Sequence, residues 1–377
     1  MGFRKLRVII SGGGTGGHIF PALSIANKLK EVNPETEILF VGAEGRMEME
    51  KVPAAGYRII GLPIAGLQRK LTLSNLALPF KVLKSLWMAR RTLKEFKPDI
   101  AIGVGGYASA PLLWEAGHLG VPTLIQEQNG FAGLTNKIVG KKAMSICVAY
   151  EGMERFFPAD RIKLSGNPIR KDIVPATEEM KAEGYRFYGL DPECRHIFVV
   201  GGSLGSRTLN EAMQKWIADG CPGGENIEVI WQCGKYYKPS VDRFMAEMKA
   251  AGKDVSRIHH SDFIQRMDLA YAVADVVLSR SGASSVSELC AAHKATVFVP
   301  SPNVAEDHQT HNAMALVNKD AAIMVRDAEA KEKLMATACE LIENTEKTAL
   351  LEKNIGKLAL PDAAMTIVDE IYRILTY

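Results

Sequence analysis

The chain has 377 residues, which is enough for two or three domains of ordinary size. Hydrophobic residues make up 47% of the sequence and charged residues 24%, a balance that excludes disordered, collagen-like and coiled-coil proteins. The net charge of +3 is too small to indicate a nucleic-acid partner, so none is expected.

Cysteine spacing and apolar run lengths predict where the protein works. None of the six cysteines belongs to a CxxC pair, which is typical of reduced thiols in the cytoplasm. The amino terminus has no signal-peptide apolar region, and no run reaches the roughly 18 apolar residues of a spanning helix. We therefore expect a protein in the cytoplasm or on a membrane face.

The first predicted element is a buried strand over 8–10 that runs into the glycine-rich stretch 12–17. Apolar residues then follow at helical spacing from Ala22 to Leu29. In a strand–loop–helix unit of this kind, backbone N–H groups at the helix start can face an anion. One such loop is explained equally well as a tight turn between a strand and a helix.

A basic amphipathic helix is predicted within 69–97. Eight lysines and arginines in this segment face a single acidic residue, Glu95. Four apolar residues lie on one helical face, namely Leu76, Phe80, Leu83 and Trp87, and Pro79 is expected near the helix start or at a kink. Such a helix could anchor at a bilayer surface, although its spacing alone is better explained by a core-facing helix with a solvated basic face.

Strand-like and helix-like segments alternate along the rest of the chain. Further strands are predicted over 38–42, 99–105 and 123–128, and then over 228–234, 275–282 and 295–300. The second half opens like the first, with a strand over 197–200, a loop containing Gly201, Gly202 and Gly205, and a helix. The turn-rich stretch 165–168 is the natural linker. The pattern predicts an α/β protein with two Rossmann-like doubly wound domains and ligands at the carboxyl ends of the strands.

Parts of the sequence also resemble three other types of site. An NAD site would need an acidic residue after the second strand, and Glu44 comes late for that role. The stretch 201–205 fits the G-x-S-x-G elbow of α/β-hydrolases, but an elbow does not explain the duplicated opening of the first half. The run 306–311 resembles a metal cluster, yet no D-x-D motif occurs in the chain and no metal or other cofactor is expected.

Six motifs occur in the order and approximate spacing of one enzyme family. They are GGTGGHIFPA (13–22), GVGGYASAP (103–111), QEQNGFAGLTNK (126–137), GNPIR (166–170), GGSLGSRTLN (201–210) and RSGASSVSEL (280–289). On these motifs the chain resembles the MurG family of GT-B glycosyltransferases from about residue 8 to residue 325. The resemblance implies an acceptor and membrane-facing domain over 1–167, a donor domain over 168–360, and a final helix, about 361–377, that crosses back to the first domain.

The resemblance also implies a reaction. N-acetylglucosamine would pass from UDP to the C4 hydroxyl of the muramyl sugar of lipid I, with inversion and without a metal, giving lipid II for peptidoglycan. The implied partners are UDP-N-acetylglucosamine, lipid I (undecaprenyl-pyrophosphoryl-MurNAc-pentapeptide), the cytoplasmic face of the plasma membrane and other proteins of cell-wall synthesis. A lipid-linked acceptor would make the basic helix a membrane anchor.

Residues in the second half are assigned to the donor through the matching motifs. Glu288 would accept the ribose hydroxyls, Arg170 and Ser203 would lie beside the diphosphate, Ile264 beside uracil, and Gln309 at the sugar. The helix that starts near Ala283 would present its backbone N–H groups to the leaving diphosphate. The helix residues assigned to this donor site are Ala283, Ser284, Ser285, Val286, Ser287 and Glu288. The role of His308 stays open.

The first half would supply the base and the acceptor site. His18 follows the glycine loop at a helix start, where the helix dipole favours the neutral imidazole that a base requires. Glu127 is the competing candidate. Asn129, Thr15, Gly16 and Gly17 are assigned to the donor, although the loop 15–17 could equally cradle the acceptor's diphosphate. The residues assigned to the acceptor are Gly14, Gly105, Gly106 and Tyr107.

Two rival functions share many of these features. A UDP-sugar 2-epimerase, or a transferase with another acceptor, would have similar donor motifs, but the first-half motifs argue against both. A non-catalytic nucleotide-sugar binding subunit is disfavoured because His18, Glu127 and Glu288 all stand in full motif context.

Overall fold

The computed structural model describes residues 4–64, 78–202 and 204–376. The chain divides into two compact units, Met1–Ile169 with Leu360–Tyr377, and Arg170–Ala359. Each unit is built on one sheet in which every strand pair is parallel. The predicted α/β class with two Rossmann-like domains is therefore confirmed.

The first sheet has seven strands in the order β3-β2-β1-β4-β5-β6-β7. Their bounds are Arg7–Gly12 (β1), Glu37–Ala43 (β2), Arg58–Leu62 (β3), Ile100–Gly105 (β4), Thr123–Glu127 (β5), Ser145–Val148 (β6) and Ile162–Leu164 (β7). The strand order reverses between β1 and β4, and this switch point is where doubly wound sheets bind their ligands.

Among the described residues, five helices follow strands of the first sheet in chain order. They are Gly16–Val32 (α1), Glu48–Ala54 (α2), Leu78–Phe96 (α3), Ser109–His118 (α4) and Leu134–Gly140 (α5). Residues of α1 and α2 share one hydrophobic cluster with the sheet, and residues of α3, α4 and α5 share another. The two clusters cover opposite faces of the sheet, because side chains alternate between the faces along each strand.

The second sheet repeats this plan with six strands in the order β10-β9-β8-β11-β12-β13. Their bounds are Arg195–Val200 (β8), Ile227–Gln232 (β9), Ile258–Ser261 (β10), Val276–Ser279 (β11), Thr296–Phe298 (β12) and Ile323–Met324 (β13). Its switch point lies between β8 and β11. The glycine-rich loop and the RSGASS segment leave the sheet on either side of it.

Eight helices belong to the second unit. They are Glu178–Tyr188 (α6), Arg207–Ala218 (α7), Lys238–Ala250 (α8), Met267–Val273 (α9), Ala283–Ala291 (α10), His308–Val317 (α11), Asp327–Glu343 (α12) and Thr345–Gly356 (α13). The fully buried Trp231 and its neighbours in the sheet pack against α7, α8 and α12. Three short 3-10 turns, Met153–Arg155, Ala159–Arg161 and Ala305–Asp307, complete the regular structure.

The last helix, Ala363–Thr376 (α14), returns to the first unit. Its buried residues Ile367, Val368 and Ile371 join the cluster formed by α1 and the first sheet. The apolar side of this helix thus covers a face of the sheet. Residues 168 and 169, which the sequence assigned to the second domain, lie in the first unit. Within the described residues, no helix is both long enough and apolar enough to cross a bilayer.

Candidate active site

Two glycine loops meet at the switch point of the first sheet. The loop after β1 contacts the loop after β4, since Gly13 N donates to Gly105 O over 3.4 Å. Gly106 has φ +89°, and a Cβ at this position would lie 2.4 Å from Gly13 O. The Ser109 hydroxyl donates to the carbonyls of Ser11 and Gly105, which links the two strand ends. The structure therefore brings together the two loops that the sequence assigned to the acceptor.

His18 lies in the first turn of α1, with its ring over the second loop. Its Nδ1 is 3.0 Å from the carbonyl oxygen of Gly13. A carbonyl can only accept, so this bond places the imidazole proton on Nδ1 and the lone pair of the neutral ring on Nε2. A Cβ at Gly105 would lie 2.8 Å from Nε2, so the glycine makes room for the ring.

Glu127 ends β5 and is 2% exposed. Its Oε1 accepts from the backbone and side-chain nitrogens of Asn129 over 3.1 and 3.4 Å. Its Oε2 accepts from Gly133 N over 3.1 Å and from Asn136 Nδ2 over 2.8 Å. A carboxylate offers about four lone-pair sites in all, and four donors occupy them here. The arrangement fixes the loop that carries Asn129.

Glycine-loop residues of the donor and acceptor sets lie around this centre. Thr15 is the extended N-cap residue of α1, and Gly16 and Gly17 open the helix. Gly14 has φ +84°, and its N–H donates to the carboxylate of Glu48 over 2.9 Å. Tyr107 is exposed beside Gly106. The Gly14 N–H is thus used inside the protein, whereas the helix start at 15–17 faces outward.

In the second unit, α10 begins at Ala283 with Gly282 as an extended N-cap. No side chain caps the helix, so its first N–H groups depend on other partners. Ala283, Ser284, Ser285 and Ser287 are partly exposed. Val286 is 1% exposed, so only its backbone could touch a ligand. The helix therefore begins at the residue that the sequence analysis named, and its assignment to a diphosphate stays a prediction.

Glu288 lies one turn into α10 beside a tyrosine and an arginine. The Tyr271 hydroxyl donates to Oε2 over 3.2 Å, and Arg170 Nε lies 3.7 Å from Oε1. Burial raises the pKa of the Glu288 carboxyl above its ordinary value, and Arg170 and the Tyr271 hydrogen bond oppose that shift. The structure thus joins two residues, Arg170 and Glu288, that the sequence assigned separately to the diphosphate and the ribose.

The loops on either side of the second switch point are held by Arg280. Its guanidinium donates to the Ser206 hydroxyl, to the Val299 carbonyl and to Asp327. Gly205 has φ +82°, and a Cβ there would lie 2.1 Å from Cys233 O. These contacts fix the glycine loop between β8 and α7 against the ends of the neighbouring strands. Ser203, in the same loop, lies outside the described residues.

The remaining donor candidates differ in exposure. Gln309, near the start of α11, accepts from Ser301 N through Oε1 over 2.8 Å and is partly exposed. Ile264 is 3% exposed, and its side chain packs in the core.

The family models settle the class of the chain. Glycosyltransferase family 28 N-terminal domain matches residues 8–148, and glycosyltransferase family 28 C-terminal domain matches residues 196–367. The chain belongs to glycosyltransferase family 28. Both domains of the family are thus present in this chain, and each match spans one of the two glycine loops. The predicted enzyme class, a glycosyltransferase, is confirmed.

Curated relatives of this family 28 enzyme match over its whole length. A protein from Parabacteroides distasonis is 54% identical and covers 99% of both chains. One from Bacteroides thetaiotaomicron is 53% identical and covers 98% of both. Both are named UDP-N-acetylglucosamine–N-acetylmuramyl-(pentapeptide) pyrophosphoryl-undecaprenol N-acetylglucosamine transferase. These matches confirm the resemblance to the MurG family.

Solved structures agree with this placement. Acinetobacter baumannii MurG is 28% identical, covers 98% of this chain and 100% of its own, and has a TM-score of 0.77. A UDP-GlcNAc 2-epimerase from Neisseria meningitidis has a TM-score of 0.64 at 12% identity, with 98% and 100% covered. At that identity the epimerase shares the fold alone with this family 28 chain.

The segment before α11 has an unusual backbone in this glycosyltransferase. Glu306 and Asp307 have φ +53° and +49°, which non-glycine residues adopt rarely. The Thr310 hydroxyl donates to Asp307 Oδ1 over 2.7 Å, which helps to hold the turn. Among the described residues, no group of three or more His, Cys, Asp or Glu side chains could hold a metal ion.

Several residues of the site region are not among the site residues predicted from the sequence. Glu48 contacts the first glycine loop but lies outside all six motifs. Three large side chains are exposed on loops at the carboxyl ends of β8, β9 and β10, namely Leu204, Tyr236 and Phe263. Single exposed apolar residues carry no pattern in a sequence. For Leu204 and Tyr236 the available signal was a position after the end of a predicted strand, whereas no strand was predicted before Phe263.

Proposed function

We propose that this chain transfers N-acetylglucosamine from UDP-N-acetylglucosamine to the C4 hydroxyl of the muramyl sugar of lipid I, with inversion, giving lipid II. The full-length relatives carry the name of that reaction. The observation that carries the mechanism is the Nδ1–Gly13 hydrogen bond of His18. It leaves the lone pair of the imidazole on Nε2, as a general base requires.

In this mechanism His18 Nε2 takes the proton of the attacking hydroxyl as its oxygen bonds to the anomeric carbon. The bond from that carbon to the diphosphate breaks, and the electron pair leaves with UDP. The N-terminus of α10 and the guanidinium of Arg170 stabilise the developing negative charge. Glu288 accepts hydrogen bonds from the ribose. These groups supply the whole mechanism, so we propose no cofactor.

The hydrogen bonds of Glu127 support His18 as the base. All the lone-pair sites of that carboxylate are used by donors of the following loop and of α5. To act as a base, Glu127 would have to give up one of these bonds while buried, which is costly. We propose instead that Glu127 positions Asn129 toward the donor sugar.

We further propose that the first unit binds the membrane through α3. Phe80, Leu83 and Trp87 lie on one face of this helix and are 76%, 64% and 60% exposed. The same helix carries a strong excess of basic residues, and Arg91 lies over the Trp87 ring at 5.8 Å. Exposed aromatic residues among lysines and arginines match an anionic bilayer surface.

A neighbouring helix extends this surface. Arg90 of α3 pairs with Glu115 of α4 over 3.0 Å, and the exposed Trp114 lies beside that glutamate in sequence. Lys142 lies over the Trp114 ring at 5.5 Å. The surface thus combines aromatic rings and cations on two helices that pack together. Leu76, the remaining residue of the predicted apolar helical face, lies outside the described residues.

The test is release of UDP from UDP-N-acetylglucosamine in EDTA, with and without a short-chain lipid I analogue. Release that requires the acceptor would establish a transferase that needs no added metal. His18→Ala should lower kcat about a hundredfold or more. If Glu127→Gln caused such a loss and His18→Ala only a few-fold loss, the base would be Glu127. Acceptor-independent conversion of the sugar would instead indicate an epimerase.

A further inference from the structure

A buried carboxylate lies directly beneath the first glycine loop. Glu48 opens α2 and is 1% exposed, although it belongs to none of the groups assigned to substrate. Its Oε1 accepts from Ala43 N over 3.0 Å, at the end of β2. Its Oε2 accepts from Gly14 N over 2.9 Å. Glu48 therefore joins the end of one strand to the loop that follows another.

The N–H that Glu48 binds and the carbonyl that His18 binds belong to one peptide group. Gly13 supplies the C=O and Gly14 the N–H of this unit, and the peptide is planar with the two groups on opposite sides. The carboxylate therefore lies at one edge of the peptide group and the imidazole at the opposite edge. A rotation of this peptide would break both hydrogen bonds.

The packing around this peptide is tight on both sides. A Cβ at Gly13 would lie 2.2 Å from Glu48 Oε1, so a glycine is required wherever the carboxylate is present. On the other side, a Cβ at Gly106 would lie 2.4 Å from Gly13 O. The peptide is thus confined between a buried side chain and the second glycine loop.

We propose that Glu48 is a positioning residue for His18 and acts through the Gly13–Gly14 peptide group. The carboxylate fixes the plane and polarises the amide, which makes the Gly13 carbonyl a better acceptor for Nδ1–H. The imidazole is then held in the tautomer with its lone pair on Nε2. This inference rests on the proposed function, in which Nε2 accepts the proton of the acceptor hydroxyl.

A second possible partner for His18 Nδ1 shows which hydrogen bond Glu48 would prevent. The Thr15 hydroxyl oxygen lies 3.4 Å from His18 Nδ1 and can donate to it. If the peptide turned away, Nδ1 would lose its carbonyl and could accept from Thr15 instead. The ring proton would then move to Nε2, and the imidazole could no longer act as a base at that atom.

Glu48→Gln is the informative substitution. The glutamine keeps the size of the side chain but places an NH₂ group against one of two N–H donors, so only one of the two hydrogen bonds can form. The matched control is Glu370→Gln in the same unit. Glu370 is 6% exposed on α14 and pairs with Arg373, so it is a buried carboxylate on a different element of the unit.

The first measurement is the side-chain ¹⁵N NMR spectrum of His18 in the full chain without substrates. Wild type and Glu370→Gln should show the tautomer protonated on Nδ1, and Glu48→Gln should show a shift toward Nε2–H. Acceptor-dependent turnover should then fall about tenfold or more in kcat for Glu48→Gln. The KM for UDP-N-acetylglucosamine should stay within about twofold, because Glu48 does not touch the donor.

Three outcomes would overturn the inference. One is a wild-type His18 protonated on Nε2, which can be seen whether or not Glu48→Gln folds. Another is an unchanged His18 spectrum in a folded Glu48→Gln. The third is a loss of kcat in Glu48→Gln no larger than in Glu370→Gln at a similar loss of thermal stability. Because the spectrum needs no substrate, a failure of the proposed reaction would be recognised separately, by absent turnover in the wild type.

Discussion

His18 and Glu127 both lie close to strand ends of the first sheet, and a sequence pattern cannot separate them. Their hydrogen bonds differ. His18 Nδ1 lies 3.0 Å from the Gly13 carbonyl oxygen, whereas Glu127 accepts hydrogen bonds through both carboxylate oxygens. At the scale of single residues, the roles that we propose for the two side chains rest on this difference.

The role that we propose for Glu288 makes donor binding depend on pH. Its pKa is raised by burial, so the carboxylate is present above that raised value and is lost as the pH falls through it. We expect the affinity for UDP-N-acetylglucosamine to fall as the pH is lowered, at a higher pH than an ordinary glutamate would give. Isothermal titration calorimetry at a series of pH values measures this affinity.

Two variants check the assignment to Glu288. Glu288→Gln should remove the pH dependence, since the amide does not titrate. Tyr271→Phe removes a hydrogen bond that lowers the pKa of Glu288, so the loss of affinity should begin at a higher pH. An unchanged pH profile in Glu288→Gln would assign the dependence to another group.

Gly106 should not tolerate a side chain. An alanine there would combine a φ of +89° with a Cβ 2.4 Å from Gly13 O, and would push the peptide that holds His18. We expect Gly106→Ala to cost about 1–3 kcal/mol in the free energy of unfolding and to lower kcat. Thermal denaturation and UDP release measure the two effects.

Gly117 offers the matched control. It lies within α4, and a Cβ there would meet nothing within 4 Å. Gly117→Ala should therefore leave kcat unchanged and stabilise the helix by about 0.5–1 kcal/mol. If both variants lost kcat equally, the loss in Gly106→Ala could not be attributed to the contact between Gly106 and Gly13.

At the scale of elements, α3 shows what periodicity leaves undecided. The spacing of its apolar residues predicts a helix with one apolar face, and by itself favours burial of that face. In the structure, the face turned to the first sheet carries smaller residues, including the fully buried Ser85 and Ala89. Phe80, Leu83 and Trp87 are left exposed, which a single sequence does not reveal.

Replacement of Phe80 and Trp87 by serine should weaken binding to anionic liposomes and leave the unfolding temperature nearly unchanged. Both side chains are mostly exposed, so the fold loses little when they are removed. Flotation with vesicles of increasing anionic lipid content measures the binding, which should also fall with salt.

Phe187→Ser is the control for this test. Phe187 lies on α6 of the second unit and is 50% exposed. It should leave liposome binding unchanged. Binding that persists in the Phe80 and Trp87 double variant, or falls equally in Phe187→Ser, would contradict a membrane surface on α3.

At the scale of the whole molecule, most of the architecture could be predicted from the sequence. Strand–glycine loop–helix openings at 8 and at 197 indicate two doubly wound sheets, and their switch points place both sites. Short strands such as β13, with two residues, have too little pattern to be predicted. Glu48 could not be predicted because its carboxylate reaches a loop more than 30 residues earlier, and nothing in RMEMEK distinguishes it from Glu50.

The return of α14 to the first unit makes a prediction about folding. Ile371 is fully buried in the cluster that α14 forms with α1 and the first sheet. Ile371→Ala should destabilise the first unit by about 2–5 kcal/mol, because it removes buried methyl groups and leaves a cavity. Hydrogen exchange resolved along the chain should show the loss of protection in β1 and β2, although they lie more than 300 residues from the substitution.

Ile355→Ala provides the reverse case. Ile355 is fully buried on α13 of the second unit. Its replacement should lower protection in the second unit and leave β1 and β2 as they are. Since each unit has its own core and its own sheet, local losses of stability should stay within the unit that contains the cavity. Equal loss of protection in both sheets from either variant would mean that the two cores unfold as one.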